Sequence, residues 1–420
     1  MKKIIKDIDL LDKNQKKFLK EKFNVKNIED VNITILKRLK ENIKKGVTDV
    51  RCQGKICYKL WDIIVCVILA NFANIYDWED IEEFVKMHYK WLRTFLQMTG
   101  GIPSYQTFER VFSLIDYKEL EKILVDFYQN IIFNSTMTSD VMCIDGRVDR
   151  GSSRNQTDYS DEIRPLNSLN VFSNLYGICL ASEMIDVKNN EMHAVERILD
   201  RINVKGSIIT WDALNTQTFN VQKVVDKKAD YVVPIKANQG NFYNDLKDYF
   251  DEKELEMIIA GKTKTAYIIQ SEKSHSSYIT YEYFQAEDVD WYFDKEKWKK
   301  LKSIGLVKKT IEKNNKITVE KRYYISSLNL DIINFSKAIR MHWLVENKLH
   351  WHLDFTFRED DNTTVNKQAL MNLQLINKFT LATLNRVKPF YNKSLKKIRT
   401  HITFNYEENF LSLLTFLALT

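Results

Sequence analysis

Apolar residues recur every three or four positions through the first third of the chain. Leu60, Ile63, Ile64, Val67 and Ile68, then Trp78, Ile81, Phe84 and Val85, predict helices across residues 58–98. Residues 1–45 also read as helical, and they are highly charged. The run Gly100 to Ser104 (GGIPS) breaks the pattern. Ser104 can then cap a further helix over 105–116, with Phe108, Val111, Phe112 and Ile115 on one face. Two helices meeting at a Gly-containing turn resemble a helix-turn-helix, which is either a DNA-reading device or a plain packing pair.

From residue 139 the period changes. VMCIDGRV (141–148) reads as a buried strand, and LNVFSNLY (169–176) with ICLASEMIDV (178–187) reads as a hairpin turning near Gly177. A helix follows over 191–203, then a strand over 206–213, a helix over 216–229 and a strand over 230–238. Three antiparallel strands followed by helix-linked parallel strands is the layout of a ribonuclease-H-like core, an α/β sheet covered by helices. TAYIIQSE, SYITYEYF, DWYF and KRYYISSL, between residues 265 and 328, are rich in Tyr, Thr and Ile and predict short antiparallel strands of an insertion. Helical spacing returns over 331–383. The expected organisation is therefore a basic helical arm (1–50), a helical N-terminal domain suited to DNA binding or dimerisation (51–135), a catalytic core (136–260 and 329–385), a β-rich insertion (261–328) and a basic C-terminal tail (386–420).

Composition narrows the class. Among 420 residues there are only 11 Gly and 4 Pro, which favours long regular elements over elaborate loops. Five Cys without a CxxC pair argue against a disulfide framework or a structural zinc site. The most apolar stretch, Trp61–Tyr76, is broken by Asp62, Asn71 and Asn74 and is too short to span a bilayer, and residues 1–14 lack the apolar core of a signal peptide. A cytoplasmic, nucleoid-associated protein with no membrane partner is expected. Residues 1–50 carry 14 Lys/Arg against 8 Asp/Glu, and residues 385–400 carry six Lys/Arg and no acid, leaving a slightly acidic centre. Basic ends around an acidic middle suit a polyanion binder whose core holds metal-binding acids, although solvated surface lysines give the same pattern.

Three acids stand where such chemistry would need them. Asp145 ends the apolar run VMCI, Asp212 ends SIITW, and Glu346 lies in the helical stretch IRMHWLVENKLHWHLD. In the expected topology the two strand ends can lie side by side. Carboxylates held by sheet and helix can bind two Mg²⁺ or Mn²⁺ ions about 4 Å apart for phosphoryl transfer. Each acid alone has a plain alternative: a turn or helix cap for the aspartates, and a surface pair with Lys348 or Arg340 for Glu346. Glu359, 13 residues beyond Glu346, is the runner-up for the third ligand. His342, Glu346 and His350 share a helix face, but core or DNA-facing histidines are the simpler reading. Lys236, Asn238 and Gln239 follow a predicted strand, where they either hold a backbone phosphate or cap the next helix. Trp343 and Trp351 are either core residues or platforms for an unpaired base.

The same residues resemble the insertion-sequence DDE transposases of the H-repeat-associated type, over about residues 50 to 385. WEDIEEF (78–84) and GIPSYQTFERVFSLID (101–116) are similar to the family's N-terminal helical region, IDGRVDRGS (144–152) to its first-acid motif and ITWDALNTQ (209–217) to its second. ADYVVPIKANQGN (229–241), YYISSL (323–328) and above all HWLVENKLHWHLDFTFREDD (342–361) match further blocks. The resemblance implies catalytic and metal-binding roles for Asp145, Asp212 and Glu346. It further implies contacts to double-stranded DNA at terminal inverted repeats and target sites, through Arg147, Arg150, Arg340 and His342 besides Lys236, Asn238 and Gln239, and a homodimer in the active complex. The sequence departs from related signatures at His342, where Arg is common, at Leu353, where Lys is common, and at Asn170, where His is expected. Alternatives are a structure-specific DNA nuclease with the same core, or an inactive DNA-binding copy.

Overall fold

The computed structural model describes residues 11–132, 140–149, 165–185, 191–261, 264–274 and 277–420. Seven helices come first: α1 (Lys13–Phe23), α2 (Glu29–Gly46), α3 (Leu60–Phe72), α4 (Trp78–Met87), α5 (Tyr89–Leu92), α6 (Tyr105–Phe112) and α7 (Tyr117–Ile132). Helix α3 (LWDIIVCVILANF) is apolar all round, as a helix must be when neighbours cover every side, and only Trp61 escapes full burial. Its polar residues have partners: Asp62 accepts from the Met98 amide at 2.8 Å, and Asn71 donates to Asn377 Oδ1 at 2.6 Å. Two of the three interruptions in the apolar stretch, Asp62 and Asn71, are thus buried bonding groups, and the third, Asn74, is exposed beyond the helix.

The middle of the chain builds one sheet from β1 (Val141–Asp149), β2 (Leu166–Ser173), β3 (Ile178–Ile185), β4 (Ile208–Trp211), β5 (Asp230–Ile235), β6 (Thr265–Ser274), β7 (Ser277–Ala286), β8 (Ser303–Lys313) and β9 (Lys316–Ser326). Helices α8 (Glu191–Asp200) and α9 (Thr218–Asp226) link β3 to β4 and β4 to β5, and α10 (Asn241–Tyr249) and α11 (Glu252–Ile259) follow β5. Strand order is β3-β2-β1-β4-β5-β9-β8-β7-β6. β1, β2 and β3 are antiparallel, whereas β4 runs parallel to β1 and β5 parallel to β4. This is the expected ribonuclease-H-like arrangement. The run VMCI of β1 and the whole of β4 (IITW) are buried, as strands covered on both faces must be.

The expected β-rich insertion does not stand apart. β9 pairs antiparallel with β5, so the hairpins continue the same sheet. DWYF is not a strand: Tyr292 stacks on Phe242 with ring centroids 3.7 Å apart, and Trp291 stacks on Tyr249. The third strand is instead β8, in SIGLVKKTIEK.

Helix α12 (Ile332–Val345) then packs across β1, β4 and β5. Gly305 of β8 permits that packing. A Cβ there would lie 2.2 Å from Phe335 Cζ of α12 and 2.8 Å from the Phe284 carbonyl oxygen. After α12 come two consecutive π-helical turns, Glu346–His350 and His352–Thr356.

Helix α13 (Lys367–Tyr391), buried continuously from Ala369 to Leu384, packs on α3, α6 and α7 and reaches β3. Helices α14 (Leu395–Phe404) and α15 (Tyr406–Leu419) close the structure against α13, with α15 also touching α1, α2 and α7. Residues 386–420 are therefore no free basic tail, because Leu395, Ile398, Phe410, Leu413 and Leu417 are core residues. Arg399 is itself buried, donating to the carbonyls of Thr356 and Asn71 at 2.8 Å each. The described part of the expected N-terminal arm is also fixed, through Leu19, Phe23, Val31, Ile35 and Leu39. No helix among the described residues is long and apolar enough to cross a membrane.

Candidate active site

Parallel pairing of β1 with β4 ends at Ile144 opposite Trp211. Asp145 and Asp212 are the next residues, so they sit side by side where the pairing of the two parallel strands stops: β4 ends there, while β1 continues to Asp149 along β2. The packing of α12 across the same strands delivers its C-terminal end there, and Glu346 is the residue after Val345. All three acids line one open cleft of about 460 Å³, together with Lys236, Arg322, His342 and Trp343. Asp145 Oδ1 accepts from the Gly146 amide at 2.9 Å.

The site is electrostatically strained in one place and relieved in another. Burial, with the added repulsion of Asp212 and Glu346, pushes the Asp145 carboxyl up to about 7. His342, Lys236 and Arg322 hold Asp212 below the usual carboxylate range, with His342 Nε2 at 3.7 Å from Asp212 Oδ1. Asp145, Glu346 and His350 form a tighter group, with one potential ligand atom from each lying within 4.8 Å of the others. His350 is buried, and desolvation with the nearby Arg147 and Lys378 charges lowers its ring to about 4, which leaves a neutral imidazole with a lone pair. A crowded half-buried carboxyl, two exposed carboxylates and a neutral nitrogen are a donor set that a divalent cation fits.

Several expected DNA contacts are placed otherwise. Strand alternation turns Arg147 inward with Asp145 and Asp149, and exposes Gly146 and Val148. Arg147 is buried and bonds to both Asp354 and Glu359, so it faces protein and not DNA. Glu359, the runner-up third ligand, is 2% exposed and spends its carboxylate on Arg147 and on Asn377 Nδ2 at 2.7 Å, so it stands outside the cleft. Asn238 and Gln239 donate to the carbonyls of Ala213 (3.0 Å) and Thr216 (2.6 Å), fastening the loop behind Asp212. Arg340 pairs with Glu272 and stacks over Tyr281, on the side of α12 facing the β6–β7 hairpin. Lys236 and His342 do line the cleft, while Arg150 lies outside the described residues. Trp343 borders the cleft with the Arg322 guanidinium 5.0 Å from its ring, and Trp351 is half-exposed and stacked on Phe355. Asn170 lies opposite Asp145 in β2 and accepts from buried Lys378 at 2.6 Å.

Neither end of the proposed helix-turn-helix offers a reading helix. The α6 C-terminus is tied to α13 by Asn372, which donates to the carbonyls of Phe112 and Ile115. Glu109 of α6 opens onto a hollow shared with Asp77, Glu79 and Asp80, which repels phosphate. Arg322 is a charged cleft residue that sequence reasoning missed, as it did its neighbours Glu320 and Lys321. Its signal was the KRYY segment, whose alternation sends Arg322 and Glu320 to one face.

A ribonuclease-H-like sheet that gathers acids on its first strand and just past the end of its fourth defines the class of polynucleotidyl transferases and nucleases. Comparison with known proteins narrows this. Residues 137–384 match the family described as "Transposase DDE domain", and residues 44–128 match the one described as "DDE_Tnp_1-associated". "Putative transposase YncI" of Escherichia coli O157:H7 is 30% identical over 362 residues, covering 86% of this chain and 90% of that protein. "H repeat-associated putative transposase YhhI" of Escherichia coli K12 is 32% identical over 335 residues, covering 78% and 84%. The cryo-electron microscopy structure of a piggyBac transposase synaptic complex with hairpin DNA matches 92% of this chain and 78% of that one, at 13% identity and a TM-score of 0.39. The chain belongs to the DDE transposases of the H-repeat-associated type.

Proposed function

We propose that the protein is the transposase of an insertion sequence, cutting DNA strands at the element's ends and joining them to target DNA at Asp145, Asp212 and Glu346. The observation that carries this reading is the meeting of those three carboxylates in one cleft, beside α12 where the pairing of β1 with β4 ends. Two Mg²⁺ or Mn²⁺ ions held by them would supply Lewis acidity to the phosphodiester and lower the pKa of the attacking water or 3′-hydroxyl. The chain's own contribution is placement. Strand β1 and the end of β4 fix Asp145 and Asp212 on rigid scaffold, and Asn238 and Gln239 brace the loop behind Asp212. Lys236 and Arg322 put positive charge on the cleft wall, where a scissile phosphate would be drawn. Double-stranded DNA bearing terminal inverted repeats is the substrate in this reading, and a homodimer would hold two ends together.

The test is strand cleavage and joining with the full chain, Mg²⁺ and DNA carrying the element's own ends. Cleaved ends and joined products are expected from wild type, and neither from Asp145→Asn, Asp212→Asn or Glu346→Gln. Activity that survives in the Asp145 and Asp212 variants refutes the assignment. Cleavage without joined products means a nuclease instead.

A further inference from the structure

Resting on that reading, we propose that His350 is a direct metal ligand, so that one of the two ions is held by a nitrogen as well as by Asp145 and Glu346. The His350 ring is 6% exposed, on the first π-helical turn after α12. Its Nδ1 lies 3.5 Å from Asp145 Oδ2 and 3.6 Å from Glu346 Oε2. Those separations exceed a well-made N–H···O bond, which falls at about 2.7–3.2 Å. They suit ligands around a shared ion, since metal–ligand bonds of about 2.0–2.6 Å put two such atoms roughly 3–5 Å apart. The opposite nitrogen, Nε2, is buried and has no hydrogen-bond partner among the described residues, so none of them fixes the ring by a bond on its far side.

The backbone explains why this ring reaches the site. The Trp351 amide bonds back to the Glu346 carbonyl, five residues earlier, and the widened turn carries Glu346 and His350 to one side together. On the other flank Asp145 points into the same space from β1. Asp212 lies outside this tight trio, with His342 Nε2 3.7 Å from its Oδ1. The two ion positions would therefore differ in chemistry: one with a nitrogen donor and one with oxygen donors only. A nitrogen donor raises affinity for Mn²⁺ and the later transition metals over Mg²⁺, which prefers an all-oxygen shell.

The experiment is pulsed electron paramagnetic resonance on the full chain loaded with sub-stoichiometric Mn²⁺, without DNA. Wild type should show hyperfine coupling to a histidine ¹⁴N, converted to a ¹⁵N pattern when histidine alone is ¹⁵N-labelled. His350→Asn, which offers an amide oxygen near the place of Nδ1, should lose that coupling. It should also bind Mn²⁺ at least about tenfold more weakly while its Mg²⁺ affinity changes less. Bound Mn²⁺ without nitrogen coupling in wild type overturns the ligand assignment and leaves the transposase reading intact. Coupling that persists in His350→Asn, assigning the nitrogen to His342 or another ring, overturns it too. If wild type binds no Mn²⁺ at millimolar concentration, the assignment and the metal-dependent reading both fall. The labelling arm needs no substitution, so a folding defect in the variant does not blunt the test.

Discussion

Replacing Arg147 should cost more than replacing any lysine on the surface. Its guanidinium joins β1 to the chain beyond the catalytic helix, bonding Glu359 and Asp354 at once. The Arg147 and Glu359 side chains are 6% and 2% exposed, and Asp354 is 46% exposed. Arg147→Met strands Glu359 with Asn377 as its remaining partner. Removing one member of a buried pair costs about 3–5 kcal/mol, while the half-exposed Asp354 limb adds at most about 1 kcal/mol. At about 2.1 cal/mol/K per residue, unfolding a chain of this length carries roughly 0.9 kcal/mol/K, so Tm should fall by about 3–7 °C. Thermal unfolding in metal-free buffer measures this. The double variant Arg147→Met/Glu359→Gln should recover much of the loss, because the neutral amide still accepts from Asn377 and no lone charge is left buried. A single-variant loss under about 1 °C, or single effects that add within about 0.5 kcal/mol, would show that the pair carries no coupling and would refute the reasoning.

Glu121 is buried beside Arg201 (2.9 Å), and burial, opposed by that arginine, pushes its carboxyl up to about 7. Its contribution to stability is complete below the unfolded value near 4.3 and is lost as pH rises through about 7. Glu121→Gln should therefore flatten the fall of Tm between pH 4.5 and 7.5, and parallel wild-type and variant curves would contradict this. Gly305→Ala should destabilise by about 1–3 kcal/mol, because the added carbon meets Phe335 and the Phe284 carbonyl oxygen; Phe335→Leu should restore part of it in urea unfolding, and no change in midpoint would mean β8 and α12 pack more loosely than described.

The two aspartates were legible because each ends an apolar run, and a run of that kind is a strand covered on both faces; Glu346 was legible from its helical stretch. Their neighbourhood was harder to read. Arg147 looked like a DNA contact, being basic and next to a Gly. Yet the period of two that turns Asp145 inward also turns Arg147 inward, and Val148, the apolar residue, comes out to solvent. Polar-in, apolar-out reverses the usual rule, and its reason is Glu359, some 212 residues away. β8 escaped notice because Lys308, Lys309 and Lys313 hide its alternation, whereas the aromatic run DWYF imitates a strand and instead supplies rings that stack on α10. No local pattern foretells a π-helical turn. The spacing of His342, Glu346 and His350 was visible, but not that the first ring would meet Asp212 and the last Asp145. The two chain ends read as basic because lysines are easily counted; their apolar stripes, which fix them to the core, carry the structural information.

Helix α2 is covered in part by α15, and Thr415 Oγ1 bonds Asn32 Oδ1 across 383 residues of chain. At about 5–20 residues per second, a ribosome needs roughly 20–80 s to make what lies between them. Throughout that interval the nascent chain presents a greasy, half-finished helical bundle to the cell, so a holdase bound early in synthesis would find its binding site erased when the last helix docks.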